Sequence, residues 1–298
     1  MEEQVNESSI LIREVETKNI MTKSTLPVGG YSVNPYVGCT HGCKYCYASF
    51  MKRFTGHTER WGTFLDVKRW PVIKNPWKYK GQRVVIGSVT DGYNPQEEQF
   101  GNTRRILEQL KGSGAEILIC TKSDLVVRDL ELLKTMGKVT VSWSINTLDE
   151  QFRADMDQAV SIERRIAAMK KVYDAGIRTV CFISPVFPGI TDFEAIFERV
   201  RNQCDLVWLE NLNLRGGFKK DIMDYIQEKY PDLVPLYDAI YNKKDRSYFQ
   251  MLEKKAKRLA RNNNCPFVDN ELPYGRAEQG HPVIVDYFYH EEVRGSEN

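Results

Sequence analysis

The sequence predicts an α/β fold, an incomplete (β/α)6 TIM-like barrel with parallel strands, flanked by an N-terminal arm and a C-terminal helical extension. Two observations carry this. Six short apolar runs are separated by segments of helix length, which requires right-handed crossovers and a parallel sheet. The chain has 298 residues and 42% hydrophobic composition, enough to bury one substantial core. We therefore expect a single domain over 1–298, divided into an arm (1–30), a barrel core (31–215) and an extension (216–298).

Taken in order, residues 1–30 are polar and charged without a clear period, and an irregular arm is expected. The first strand is 31–37, running into a cysteine-rich loop with a short helix after Tyr47. The second is 83–88; the helix after it, 103–111, has Asn102 as its cap and Gly112 as its stop. A buried third strand at 115–120 is followed by a helix at 129–136 that stops at Gly137, then by the fourth strand at 138–145. Ser161 caps a helix whose inner face carries Ile162, Ile166, Met169, Val172 and Tyr173, and the fifth strand is 178–183. Thr191 and Glu194 stand in capping-box spacing before Phe193, Ile196, Phe197 and Val200, and the sixth strand is 205–210.

In the extension, 246–264 reads as an amphipathic helix. Phe249, Leu252, Ala256 and Leu259 lie on one face, and Lys254, Lys255, Lys257, Arg258 and Arg261 largely on the other, a solvated face by default. Residues 265–276 are rich in turn formers and aromatics, and read as a packed tail or as a closure over the open end of the barrel.

Composition excludes several classes. Forty-two basic residues against 40 acidic ones leave no global excess of the kind that announces nucleic-acid binding, so any basic surface must be local. No repeat, low-complexity segment or long apolar run is present, and no membrane partner is expected. Seven cysteines, an odd count with no signal peptide before them, point to a reducing, cytoplasmic location without disulfides.

The chemistry concentrates in Gly38-Cys39-Thr40-His41-Gly42-Cys43-Lys44-Tyr45-Cys46-Tyr47. Three thiols at spacings of four and three hold three corners of a four-iron cluster and leave one iron open to a further ligand, as catalytic zinc sites keep a position free. A zinc knuckle is the alternative, with His41 as fourth ligand. Structural zinc loops usually bring two separated pairs, however, and Cys120, Cys181, Cys204 and Cys265 stand singly.

This spacing, with Tyr45 just before the last cysteine, resembles the radical S-adenosylmethionine (SAM) superfamily. Further runs resemble the branch containing spore photoproduct lyase and the DNA repair photolyases, and within it the proteins labelled radical SAM mobile pair proteins. They are Asn34-Pro-Tyr-Val-Gly-Cys39, Thr90-Asp-Gly-Tyr-Asn-Pro95, Thr121-Lys-Ser123 with Arg128-Asp129, and Ser184-Pro-Val-Phe-Pro-Gly-Ile-Thr-Asp192, together covering roughly 30–215.

The resemblance implies a 4Fe-4S cluster on Cys39, Cys43 and Cys46, SAM chelated to the open iron, and an external electron donor. One electron would break the sulfonium bond, and the resulting 5′-deoxyadenosyl radical would take hydrogen from a substrate. It also implies SAM contacts from Thr90, Lys122 and Ser144, with Tyr45 against the adenine and Arg165 as a second carboxylate or ribose contact. These residue types suit the work: an ammonium pairs with a carboxylate, and hydroxyls bond an amine or a ribose. The implied substrate is macromolecular, with nucleic acid first and a peptide or partner protein as the alternative; a non-enzymatic iron-sulfur protein is the remaining reading. One departure stands out. Spore photoproduct lyase carries Cys-Thr-Ser-Asp where this chain has Ser88-Val89-Thr90-Asp91, and a serine O–H bond is too strong to replace the hydrogen-donating thiol.

Overall fold

The computed structural model describes residues 10–24, 30–214, 216–269, 273 and 275–289. Its strands are β1 (Leu11–Glu16), β2 (Met21–Lys23), β3 (Tyr31–Val33), β4 (Tyr36–Val37), β5 (Phe64–Arg69), β6 (Arg83–Ile86), β7 (Glu116–Thr121), β8 (Lys138–Ser144), β9 (Arg178–Val186), β10 (Leu206–Asn211), β11 (Phe267–Asp269) and β12 (Val283–Asp286). A nine-stranded sheet has the order β11-β12-β10-β9-β8-β7-β6-β3-β2. From β3 to β10 neighbours pair in chain order and parallel, as the alternation of strand and helix requires. The result is a mixed α/β fold on a parallel sheet.

Period-two alternation divides the sheet into two faces. Val84, Ile86, Ile117, Ile119, Val141, Trp143, Ile183 and Val207 pack under the helices with Ile106, Ile166, Met169, Ile196 and Phe197. On the opposite face Val180, Leu206, Trp208, Val285 and Tyr287 form a second buried group.

Several expectations are corrected. The sheet is wider than six strands: the extension is not purely helical, because β12 pairs parallel with β10 and β11 with β12. Nor is the described part of the arm irregular. β1 pairs parallel with β5 and β2 antiparallel with β3, while residues 1–9 and 25–29 lie outside the described residues. The expected first strand is two strands, and β4 joins β1 and β5 in a separate three-stranded sheet.

Gly101, not Asn102, precedes the helix Asn102–Leu110, and the Asn102 amide instead donates to the carbonyls of Pro35 and Lys68. Asp192, not Thr191, caps Phe193–Val200 by accepting from the Ala195 N–H, because the Thr191 hydroxyl is engaged with the Phe187 N–H and the Asn146 carbonyl.

The tail from 265 packs at the start of the strands rather than over their ends. Arg276 donates to Asp205 at 2.7 Å and lies over the Tyr173 ring; Asn270, Glu271, Leu272 and Tyr274 are outside the described residues. The helix Ser247–Asn262 buries Phe249, Leu252, Ala256 and Ala260; Lys255 faces Glu194 and Lys257 pairs with Glu253.

Candidate active site

The cysteine loop leaves β4 and sits at the carboxyl ends of the parallel strands, where residues from successive strands converge. Glycine makes the approach possible. Gly38 has φ +85°, and a Cβ there would lie 2.4 Å from the Phe64 carbonyl oxygen; one on Gly62 would lie 2.7 Å from Gly42 Cα. The segment leading into β5 therefore packs directly onto the loop. Gln158 donates to the His41 carbonyl and Lys44 to that of Met156, fixing the other side.

All seven cysteines are free. Among the described residues, the His, Cys, Asp and Glu ligand atoms that meet in threes within 4.8 Å belong to Glu253, Asp269 and Asp286, not to the cysteine loop. Thiolates sharing one zinc, with bonds of about 2.3 Å, would stand roughly 3.8 Å apart. The three loop thiols are not all that close together, and three thiols on one loop fit three corners of a four-iron cluster. Burial pushes the Cys43 thiol up, opposed by Lys122, and pushes Cys46 up to about 11. The Trp61 indole nitrogen is buried without a hydrogen-bond partner among the described residues; it lies near the Cys46 sulfur and works against that rise. A spare donor near sulfur also fits a cluster ligand.

The two flanking loops are tied to each other and to the cysteines by Asp91. Its carboxylate accepts from the Tyr93 N–H (2.8 Å), the Thr121 hydroxyl (2.8 Å) and the Lys122 N–H (2.7 Å), and lies 3.2 Å from His41 Nδ1 as an ion-pair contact. Burial works against the Asp91 carboxylate, yet His41 and these N–H groups hold it below the usual range. Burial likewise opposes the His41 imidazolium, but Cys39 and Asp91 outweigh it and raise His41 to about 10.

The expected SAM contacts lie as follows. Lys122 follows β7 with Nζ 5.5 Å from the centre of the Tyr45 ring. Burial disfavours its ammonium, and Tyr45, Cys43 and Asp157 more than offset this, so the group is held protonated above the usual lysine value. It makes no ion pair within 4 Å among the described residues. Ser144 ends β8, half-buried. Tyr45 is buried, edge-on to Phe187 at 5.4 Å, with its hydroxyl 3.4 Å from Asp157.

Two residues have protein partners that sequence reasoning did not foresee. The Thr90 hydroxyl donates to the Gly38 carbonyl at 2.5 Å, so its proton is committed to the loop. Arg165 is fully buried and donates to Asp157 (2.7 Å), the Val160 carbonyl (2.9 Å) and the Ser144 carbonyl (3.2 Å).

Cys120, on β7 opposite Ser142 of β8, is half-buried; burial, Asp91 and Glu210 push it up to about 12. Ser184 donates to Glu210 at 2.5 Å. The Ser88 hydroxyl accepts from the Asn34 amide, and its carbonyl accepts from the Tyr47 hydroxyl.

With this geometry in place, the comparisons are decisive at the level of family. The model of the radical SAM superfamily matches residues 33–200, spanning the cysteine loop and the strands up to β9. The chain belongs to the radical SAM superfamily. An uncharacterised protein of Methanocaldococcus jannaschii is 34% identical over 239 residues, 79% of this chain and 89% of that protein. A radical SAM Nalpha-GlyT isomerase of Pseudomonas phage M6 is 27% identical over 183 residues, 59% of this chain and 36% of the isomerase. Among solved structures, spore photoproduct lyase complexed with dinucleoside spore photoproduct superposes with a TM-score of 0.54 at 16% identity, covering 74% of this chain and 66% of the lyase. That likeness is one of fold. Among the described residues no helix is long and apolar enough to cross a membrane.

Sequence reasoning missed Asp91, Asp157 and Trp61 as parts of the site, and weighed His41 only as a zinc ligand. Asp91 and His41 lie within the quoted motifs and were open to notice; Asp157 and Trp61 carry no local signal, since each is brought in by a long-range contact.

Proposed function

We propose that this protein is a radical SAM enzyme that holds a 4Fe-4S cluster on Cys39, Cys43 and Cys46, cleaves SAM reductively with an electron from an external donor, and abstracts hydrogen from a macromolecular substrate, nucleic acid before peptide or partner protein. The observation that carries this is the Lys122 ammonium, without an ion pair among the described residues and partly shielded, facing Tyr45 beside the cysteine loop. A carboxylate there would gain a charge-assisted bond.

The bound cluster and SAM would supply the radical chemistry, and the chain's residues have separate tasks. Lys122 would pair with the methionyl carboxylate, and the Ser144 hydroxyl would hold the amine or ribose. Tyr45, packed on Phe187, bounds the adenine side. Thr90 acts by fixing Gly38 at the start of the loop, and Arg165 acts from behind, through Asp157 and the Ser144 carbonyl.

The test is anaerobic reconstitution with SAM and a strong reductant, following deuterium from labelled nucleic-acid substrates into 5′-deoxyadenosine. Deuterium transfer is the expected result. SAM cleavage without transfer from any nucleic acid, but with transfer from a peptide, would move the substrate to the alternative class; absence of 5′-deoxyadenosine would overturn the enzymatic reading.

A further inference from the structure

Immediately after the last cysteine, the chain turns through Tyr47–Met51 and Lys52–Thr55 and leaves three large rings in solvent. Tyr47 is 54% exposed, Phe50 41% and Phe54 75%. They form a continuous row: Tyr47 and Phe50 have ring centres 6.4 Å apart at 28°, and Phe50 and Phe54 6.3 Å apart at 88°. Rings of this size contribute most when covered, and contiguous apolar surface of this kind marks an interaction site.

The row starts at the mouth of the candidate active site. The Tyr47 hydroxyl donates to the carbonyl of Ser88, just beyond β6, and the neighbouring Ala48 is buried, so the first ring is held in place. Phe50 and Phe54 lead outward from it.

Within the segment of chain that carries the row, the charge has one sign. From Cys43 to Thr58 the chain carries Lys44, Lys52 and Arg53 and no Asp or Glu. Arg53 is exposed and makes no ion pair among the described residues. A partner must therefore present both negative charge and successive flat faces. A single-stranded nucleic acid has both, since every base offers a π-face and every linkage a phosphate, and aromatic platforms in basic surroundings bind it without needing a particular sequence. A duplex hides its base faces, and an acidic protein answers the charge but not the row of rings.

We propose that Tyr47, Phe50 and Phe54 form a stacking platform for unpaired bases, with Lys52 and Arg53 beside the backbone, which delivers a single-stranded segment to the candidate active site. The proposal rests on the radical SAM reading only for what happens where the platform ends; binding itself is independent of it.

The experiment measures anisotropy of a short fluorescein-labelled oligothymidylate with the reconstituted protein under anaerobic conditions, comparing wild type with Phe50→Ala and Phe54→Ala. Both side chains are exposed, and retained circular dichroism verifies the fold. An abasic strand of equal length keeps the phosphates and removes the faces. Each alanine should weaken binding about fivefold to a hundredfold, as expected for one base stacked on one ring, and the abasic strand should bind correspondingly less.

Unchanged affinity in both variants, or an abasic strand that binds as tightly as the normal one, would overturn the proposal. So would variants that bind the oligonucleotide normally but slow cluster reduction by a flavodoxin-type donor, which would assign the row to the electron donor. Formation of 5′-deoxyadenosine by wild type, measured on the same preparation without oligonucleotide, reads the enzymatic function separately, so the two failures are distinguishable.

Discussion

Arg165 and Asp157 form an ion pair at 2.7 Å with side-chain exposures of 0% and 1%, and the pair joins β8 to the cysteine loop through the Ser144 carbonyl on one side and the Tyr45 hydroxyl on the other. Removing one member leaves an uncompensated buried charge, which costs about 3–5 kcal/mol, whereas replacing both by apolar groups is far milder. Asp157→Leu and Arg165→Met should each lower the urea midpoint strongly, and the double variant should recover much of the loss. Additive losses would show that the two side chains are not coupled.

Asp286 gives a pH dependence away from the cysteine loop. Burial, with Glu253 and Asp269 nearby, raises its carboxyl from 3.8 to about 6, against the pull of the Phe288 N–H and Lys257. A carboxyl raised on folding favours the protonated form. Its contribution to stability is therefore full below about pH 4, is lost as pH rises through 6, and is absent at pH 7. Asp286→Asn keeps an oxygen for the Phe288 N–H, which is 2.9 Å away. The variant should be more stable than wild type by about 1–2 kcal/mol at pH 7, the full shift being discounted for residual solvent contact, and the gain should vanish near pH 4. Thermal melts at the two pH values check this; a gain independent of pH would refute the assignment.

Lys122→Met keeps much of the stem and removes the charge. SAM binding should weaken by about 1.5–3 kcal/mol, roughly tenfold to a hundredfold, while the iron content is unchanged. Anaerobic equilibrium binding to the reconstituted protein measures it. Unchanged affinity would return Lys122 to the role of a loop lysine.

Ser88 bears on the fold neighbour's substrate. Its hydroxyl oxygen accepts from Asn34, and it supplies no thiol. Incubation with dinucleoside spore photoproduct, SAM and reductant should give no multiple-turnover conversion to thymines, although SAM is consumed. Clean repair would mean that another group donates hydrogen, and Cys120, half-buried on β7, would be the first to substitute.

The strands from β6 to β10 were legible because apolar runs such as Ile117-Leu118-Ile119 sit between helix-length segments, and burial on both faces leaves few other options. β1 and β5 were not. In Leu-Ile-Arg-Glu-Val-Glu and Phe-Leu-Asp-Val-Lys-Arg charged residues interrupt the alternation, and the strands exist through pairing with each other. β12, Val-Ile-Val-Asp, carried a readable β-branched signal that the expectation of a helical extension obscured. The Thr191 cap failed because the Phe187 N–H, four residues back, and the Asn146 carbonyl, distant in sequence, claim its hydroxyl. The place of the cysteine loop, after the first strands, was legible. The partners of Thr90 and Arg165 were not, since residue type fixes what a group can bond but not what stands nearest.

The most direct test of the account is the electron paramagnetic resonance spectrum of the reduced, anaerobically reconstituted protein, recorded with and without SAM. An open iron predicts a four-iron signal that changes shape when SAM is added and that is absent from the Cys39→Ala, Cys43→Ala, Cys46→Ala triple variant. A signal indifferent to SAM, or one that survives in the triple variant with its iron intact, would contradict it.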